Sequence, residues 1–295
     1  MRMDYVLWMA GSALVCAALL EWQGRVRLKR GGFGLLTLAL GAPLCAVCSK
    51  ALYCLTQLSF VLAEGWRESL LSASARTWCM TGGAAGVILA AALSARLLRV
   101  RTMDALDAFA PVGALLAALA RFGCIFLQEE QVGWGMYTDA AALAFFPATI
   151  GNEWGERYLA VFMLETLCAL AVAAGATRLR RMRFVRALFY LCLTQILCES
   201  LHSDSICWLF VRVEQLAAML VVEGTLILYA VKAAPGARRL VPPLVGVGCA
   251  GVFVAVEFAL DKSSLPIALL YAVMVVFMAV LAAAERRGFR RAYPA

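Results

Sequence analysis

Apolar residues fill this chain in long unbroken runs, and polar residues gather in short clusters between them. Runs of roughly 20 residues, the length a helix needs to cross the hydrocarbon core of a bilayer, recur from one end to the other. The pattern predicts nine membrane-spanning helices, over residues 4–22, 33–62, 79–98, 105–127, 156–176, 185–202, 207–231, 241–260 and 264–284. Backbone polar groups cannot go unpaired in lipid, so the expected fold class is all-α, a polytopic membrane helical bundle. The longest polar connection, 128–155, holds Gly133-Trp-Gly135 and an apolar patch at 141–147 that is too short to span. That patch is expected at the membrane interface or dipping back toward a cavity.

Composition removes the soluble alternatives. With 63% hydrophobic residues, 16% charged residues and a mean hydropathy of +0.83, no separate soluble domain fits. The net charge of +8 raises nucleic acid as a partner, but the basic residues alternate by loop instead of lining one face, so no nucleic acid is expected. Arg25, Arg27, Lys29 and Arg30 follow the first run, Arg96, Arg99 and Arg101 the third, and Arg178, Arg180, Arg181, Arg183 and Arg186 the fifth. Under the positive-inside rule these loops are cytoplasmic; with Arg286, Arg287, Arg290 and Arg291 at the far end they predict an amino terminus outside and a carboxyl terminus in the cytoplasm.

The first run has a weakly basic start and no convincing small-residue cleavage site, so it reads as a retained helix and not a secretory signal. Pro235-Gly236 and Pro242-Pro243 punctuate the chain after the seventh run. They divide a functional core at 1–232 from an appended helix pair at 233–295. The eleven cysteines lie mostly inside apolar runs, as small packing residues. Cys45 and Cys48 form a Cys-x-x-Cys with no histidine nearby, so neither a metal nor a cofactor is expected.

One charge stands out against this background. Arg121 lies in Ala114-Leu-Leu-Ala-Ala-Leu-Ala-Arg-Phe-Gly-Cys-Ile-Phe-Leu127, and a guanidinium deep in a bilayer costs about 2.5–3.5 kcal/mol on insertion scales. It either snorkels to the interface or faces a polar cavity. Thr81, Glu199, His202, Arg212 and Glu214 fall at the same outer level. Gln195, Glu199 and His202, spaced i, i+4, i+7, share one helical face, and Lys50 and Tyr53 form a smaller i, i+3 pair. Each alone matches an ordinary helix-to-helix hydrogen bond, while their common depth points to a shared cavity. A planar guanidinium holds phosphate bidentately, and phospholipid is the nearest phosphate. His202 is the only histidine; Ser203 and Asp204 beside it make no hydrolase triad, whose members converge in space and not in sequence. The broken-helix ion site of a transporter is not evident.

These residues resemble the prolipoprotein diacylglyceryl transferase family. Asp107-Ala-Phe-Ala-Pro111, followed by Ala120-Arg-Phe-Gly-Cys-Ile-Phe-Leu-Gln-Glu129, is similar to the family's Asp-x-x-Ala-Pro and Gly-Arg-x-Gly-Asn-Phe-x-Asn-x-Glu, with Arg121, Gly123 and Glu129 on matching positions. Glu199-Ser-Leu-His-Ser-Asp-Ser205 resembles Glu-Ser-Leu-Arg-Thr-Asp-Ser, and Arg212-Val-Glu-Gln-Leu216 resembles Arg-Val-x-Gln-Leu. Thr81-Gly82-Gly83 falls on His-Gly-Gly, and Ser49-Lys50-Ala-Leu-Tyr53 on Ala-Arg-Leu-x-Tyr.

The resemblance covers residues 1–232 and implies a seven-helix transferase-like core, with two C-terminal helices added, in a bacterial cell membrane. It implies transfer of a diacylglyceryl group from phosphatidylglycerol to the lipobox cysteine of a preprolipoprotein. A free thiol is mostly protonated at neutral pH, so the reaction needs a proton acceptor as well as a phosphate clamp. On this reading Arg121 binds the lipid phosphate, Glu129, Glu199 and His202 are the catalytic candidates, and Lys50, Tyr53, Thr81, Gly123, Gln195 and Arg212 line the substrate site.

The departures from the family pattern bear on turnover. Thr81 replaces the family's histidine, Cys124 an asparagine, Gln195 the second arginine and His202 the third; the His-Pro-x-x-Leu-Tyr-Glu motif has no counterpart, with only Glu165 retained downstream. Arg121 is then left nearly alone as a cation. Two readings stay open: a divergent transferase, or a catalytically impaired paralogue that binds anionic phospholipid or lipoprotein precursor without turnover. Threonine cannot deprotonate a thiol, so the first requires Glu129, Glu199 or His202 near the cysteine and the second does not.

Overall fold

The computed structural model describes residues 3–72, 74–203, 205–208 and 211–294. In chain order the helices are α1 (Met3–Gln23, extended by a π-helical turn at Gly24–Leu28), α2 (Phe33–Thr56), α3 (Leu58–Glu64), α4 (Trp66–Leu71), α5 (Met80–Leu97) and α6 (Thr102–Phe122, continued as 3-10 turns through Gly123–Glu130). They continue with α7 (Val161–Arg178), α8 (Arg183–Leu201), α9 (Val213–Lys232), α10 (Val241–Lys262) and α11 (Ile267–Ala292). Among the described residues nine of these segments are long and apolar enough to cross a membrane, so the chain is an all-α, multi-pass membrane protein.

The first and ninth spans run past their expected ends, to Leu28 and Ala292; three others are shortened, and each shortening has a local cause. The second stops at Thr56 instead of 62, because Gln57 leaves helical geometry (φ −110, ψ 34) and its Nε2 donates to the Cys207 carbonyl at 2.7 Å. The chain continues as the short helices α3 and α4, which leave Leu62, Trp66 and Leu71 exposed. The fifth begins at Val161 instead of 156, since Arg157–Leu159 (β2) pairs antiparallel with Thr149–Gly151 (β1). The seventh begins at Val213 instead of 207, because Cys207–Trp208 (β3) and Val211–Arg212 (β4) pair antiparallel. Short apolar stretches satisfy strand and helix patterns equally, and here tertiary pairing decides. The patch at 141–147 forms a 3-10 turn at Ala141–Leu143 and leaves Phe145 and Phe146 exposed.

The chain divides into two compact units, one formed by residues up to Ala187 together with Leu201–Glu214, the other by Leu188–Ser200 together with residues from Gln215 onward. In the first unit α2 lies along α5, α1 packs on α2 and α6, and α6 packs on α7. Its core is built from Cys16, Leu20, Phe33, Ala91, Ala95 and Phe109. The second unit buries Phe189, Ile196, Val222, Leu226, Phe253, Met274 and Leu281. Polar contacts also join its helices, among them Tyr190 Oη donating to the buried Glu285 carboxylate at 3.0 Å and Gln215 Nε2 donating to Glu257 at 2.9 Å.

Close approach of α5 to α2 depends on Gly82 and Gly86, one turn apart on α5. A methyl at Gly86 would strike the Leu44 carbonyl, and one at Gly82 would meet the Cys48 carbonyl. In lipid, such small-residue faces supply helix association through backbone contact. Gly86→Val is therefore expected to lower stability by about 1–3 kcal/mol. Thermal unfolding in detergent reads the loss, and an unchanged midpoint would show that α2 and α5 can part without cost.

Candidate functional site

Arg121 occupies the last turn of α6, where the α-helix gives way to 3-10 turns at Gly123. That places its charge at a helix C-terminus, the favourable end for a cation. It does not snorkel. Its side chain is 12% exposed, and Nη2 lies 3.1 Å from Glu165 Oε1 and 3.3 Å from Glu214 Oε2. The arginine that stands nearly alone by sequence is thus held between two buried carboxylates.

His202 joins the same group, with Nε2 3.3 Å from Glu165 Oε1, the oxygen that also faces Arg121. All four side chains are largely buried. The long connection puts the imidazole there. Trp134, buried, accepts hydrogen bonds at its carbonyl from Ser203 N at 3.0 Å and Ser203 Oγ at 2.9 Å. Gly135 N donates to Leu159 O at 2.7 Å, and Phe162 N donates to Gly133 O at 3.1 Å. Residues 133–135 therefore tie the start of α7, which carries Glu165, to the end of α8, after which His202 emerges. Gly135 has to be glycine at this crossing, because a Cβ there would come within 2.9 Å of the Leu201 carbonyl.

Glu214 closes the other side. Its Oε1 accepts from the backbone amides of Met80 at 3.0 Å and Thr81 at 3.2 Å, and from Cys79 Sγ at 3.7 Å. One carboxylate thereby caps the start of α5 and holds Arg121, fixing Thr81 relative to the guanidinium. Arg212 Nη1 donates to the His202 carbonyl at 2.9 Å and to Ser205 Oγ at 2.7 Å, which secures the turn after α8. Asp204 of this turn lies outside the described residues.

The remaining candidates have the following partners. Lys50 is buried and donates to the carbonyls of Ser69 at 3.2 Å and Ser72 at 2.8 Å and to Thr77 Oγ1 at 2.7 Å, with its ammonium 4.6 Å above the Trp78 ring. Its partners Ser69, Ser72 and Thr77 line, with Tyr53 and Phe60, a cleft of about 590 Å³. Lys50→Met should free the 69–77 segment, at a cost of about 1.5–3 kcal/mol for its charged hydrogen bonds. Limited proteolysis should then cut first in that segment, and a wild-type cleavage pattern would deny the lysine this role.

Gly123 is a packing position, where a Cβ would approach Trp8 Cδ1 to 2.8 Å. Glu129 is exposed. Its neighbour Glu130 does the anchoring instead, accepting from Ser74 Oγ and Ala75 N, both at 2.8 Å. Gln195 and Glu199 belong to the second unit, where Gln195 Nε2 donates to Glu199 Oε2 at 3.2 Å. The expected common helical face of Gln195, Glu199 and His202 ends early, because α8 stops at Leu201.

Sequence reasoning put Glu214 at the level of the cavity and noted Glu165 as a retained position, but gave neither a role in the site. The available signal was that both are carboxylates within or at the edge of apolar runs, where an acid needs a partner. Chemically, the cluster offers an anion-binding guanidinium, an imidazole with a carboxylate oxygen 3.3 Å away, and a second carboxylate organising the guanidinium. Among the described residues no group of three or more His, Cys, Asp or Glu side chains is placed to hold a metal.

Residues 4–231 match a family model described as prolipoprotein diacylglyceryl transferase. No curated protein and no solved structure matches the chain.

Proposed function

The chain belongs to the prolipoprotein diacylglyceryl transferase family, and from that premise we propose that it moves a diacylglyceryl group from a membrane phospholipid to the lipobox cysteine of a preprolipoprotein. Phosphatidylglycerol is the donor in the family's reaction. The thiol sulfur forms a bond to the terminal glyceryl carbon, the bond from that carbon to the phosphate oxygen breaks, and the phosphate monoester leaves with the electron pair. His202 takes the thiol proton, and Glu165 holds the resulting imidazolium. Arg121 meets the phosphate as negative charge builds on it.

The observation that carries this reading is the single Glu165 oxygen facing both Arg121 and His202, because it sets the proton acceptor and the phosphate cation side by side. Thr81 then needs no acid-base role. The protein acts as a multi-pass enzyme of the bacterial cell membrane, amino terminus outside, with a core at 1–232 and an appended helix pair at 233–295. The end of the family match at residue 231 supports that division.

A second reading, a paralogue that binds lipid or precursor without turnover, draws on one specific observation: Arg121 is already engaged by two carboxylates. Cells depleted of their own transferase and supplied with this chain separate the two. Acquisition of the diacylglyceryl group by a lipobox reporter is the expected result. Its absence, with the protein folded in the membrane, leaves the binding reading.

A further inference from the structure

The last helix is longer than a bilayer crossing needs. The 26 residues of α11 span about 39 Å at about 1.5 Å each, against a hydrocarbon core of about 30 Å, so its final turns stand at head-group level. Those turns carry Arg286, Arg287, Arg290 and Arg291. On the orientation proposed above, this is the cytoplasmic leaflet.

Positive charge at that end is what topology alone requires, but topology asks nothing of its arrangement. Here the arrangement is specific. Ala279, Ala282, Ala283, Arg286, Arg287 and Arg290 fall at i, i+3, i+4, i+7, i+8 and i+11, on one helical face, and line a groove of about 360 Å³. The reverse face is packed. Leu281, Ala284, Glu285 and Gly288 are buried there, and a Cβ at Gly288 would come within 3.3 Å of Tyr229. Glu285, the one acidic residue of α11, accepts from the Tyr190 and Tyr229 hydroxyls at 3.0 and 3.5 Å. Arg286 interacts with the Tyr190 hydroxyl as well. Arg287 and Arg290 are exposed and, among the described residues, have no acidic partner.

Alanine along the floor matters as much as arginine at the rim. Methyl groups leave room beside the helix for a glyceryl group and the first acyl carbons, while the two free guanidiniums can take a phosphate bidentately. We propose that this groove binds an anionic phospholipid, with a phosphate between Arg287 and Arg290 and the glyceryl backbone against Ala282 and Ala283. Basic pockets at the cytoplasmic ends of membrane helices recognise such head groups. The groove lies beyond residue 231, where the family match ends, and gives the appended helix pair a binding role of its own. It involves no transfer chemistry, so it stands or falls apart from the transferase reading.

The test titrates the full-length protein in nonionic detergent with cardiolipin, or with phosphatidylcholine as a phosphate-bearing lipid of no net charge. Native mass spectrometry reads the lipid retained. Cardiolipin should be held in preference. Arg287→Gln combined with Arg290→Gln should weaken its apparent Kd by about thirtyfold, the scale of two guanidiniums facing an anionic lipid. Ala283→Phe keeps every charge, fills the floor, and should weaken binding comparably. Arg238→Gln combined with Arg239→Gln removes the same charge from outside the groove lining and should change Kd by less than about threefold, as surface substitutions do.

Equal loss in the two arginine pairs with Ala283→Phe unaffected reduces the patch to general electrostatic attraction and overturns the site. Retention of cardiolipin that none of the groove substitutions lowers places the lipid elsewhere, and equal retention of phosphatidylcholine removes the preference for an anion; either result also overturns the proposal. All the substituted residues are exposed, and if Ala283→Phe does not fold, the contrast between the two arginine pairs still decides.

Discussion

Arg121→Ala should abolish transfer and also destabilise the fold by about 3–5 kcal/mol, because it leaves two buried carboxylates without their cation. The stability loss separates a structural guanidinium from one that only meets ligand. A phosphate-binding arginine on an open wall would lose activity on truncation and little else. Arg121→Lys keeps the charge and loses the planar fork, so it should recover much of the stability but little of the transfer. Unfolding midpoints and reporter lipidation, measured on the same preparations, give both quantities. Full transfer by a folded alanine variant would end the assignment of Arg121 to the phosphate.

His202→Asn is expected to lower kcat by about 10²- to 10⁴-fold, the range for loss of a positioned general base. Glu165→Gln should produce a loss of similar order by a different route, since it removes the negative charge 3.3 Å from the imidazole that would hold the imidazolium. If the two side chains work as a unit, the double variant loses little more than the worse single one. Multiplicative losses would mean that Glu165 acts through Arg121 alone. Exposed Glu129 provides the contrast, because Glu129→Gln should leave kcat within about threefold, in line with the small effects of surface substitutions.

The helices were legible from hydropathy because a spanning helix writes itself as one long apolar run, and α5, α8 and α10 lie close to the expected limits. The short elements were not. Residues 157–159, 207–208 and 211–212 carry apolar residues that extend a helical run by composition and pair as strands by contact. Gln57 breaks its helix in favour of a carbonyl far along the chain. In the site, the singular character of Arg121 was readable from its surroundings, and so was His202 as the only histidine. Their partners were not, since no spacing rule links positions on separate helices. Lys50 shows the converse: its sequence signal was a cation in an apolar run, and its use is to hold a loop.

The pairing of Arg121 with Glu165 also bears on how the polypeptide enters the bilayer. α6 and α7 are consecutive, pack along each other, and carry these charges at neighbouring ends. Delivered singly to the insertion machinery, each helix would pay about 2.5–3.5 kcal/mol for its charge. Released as a hairpin, the two cancel most of that cost before either meets lipid. An ion pair required at the finished site would thereby already have served during biogenesis, and its loss would show as a poorly inserted chain at the ribosome before it shows as a poor enzyme.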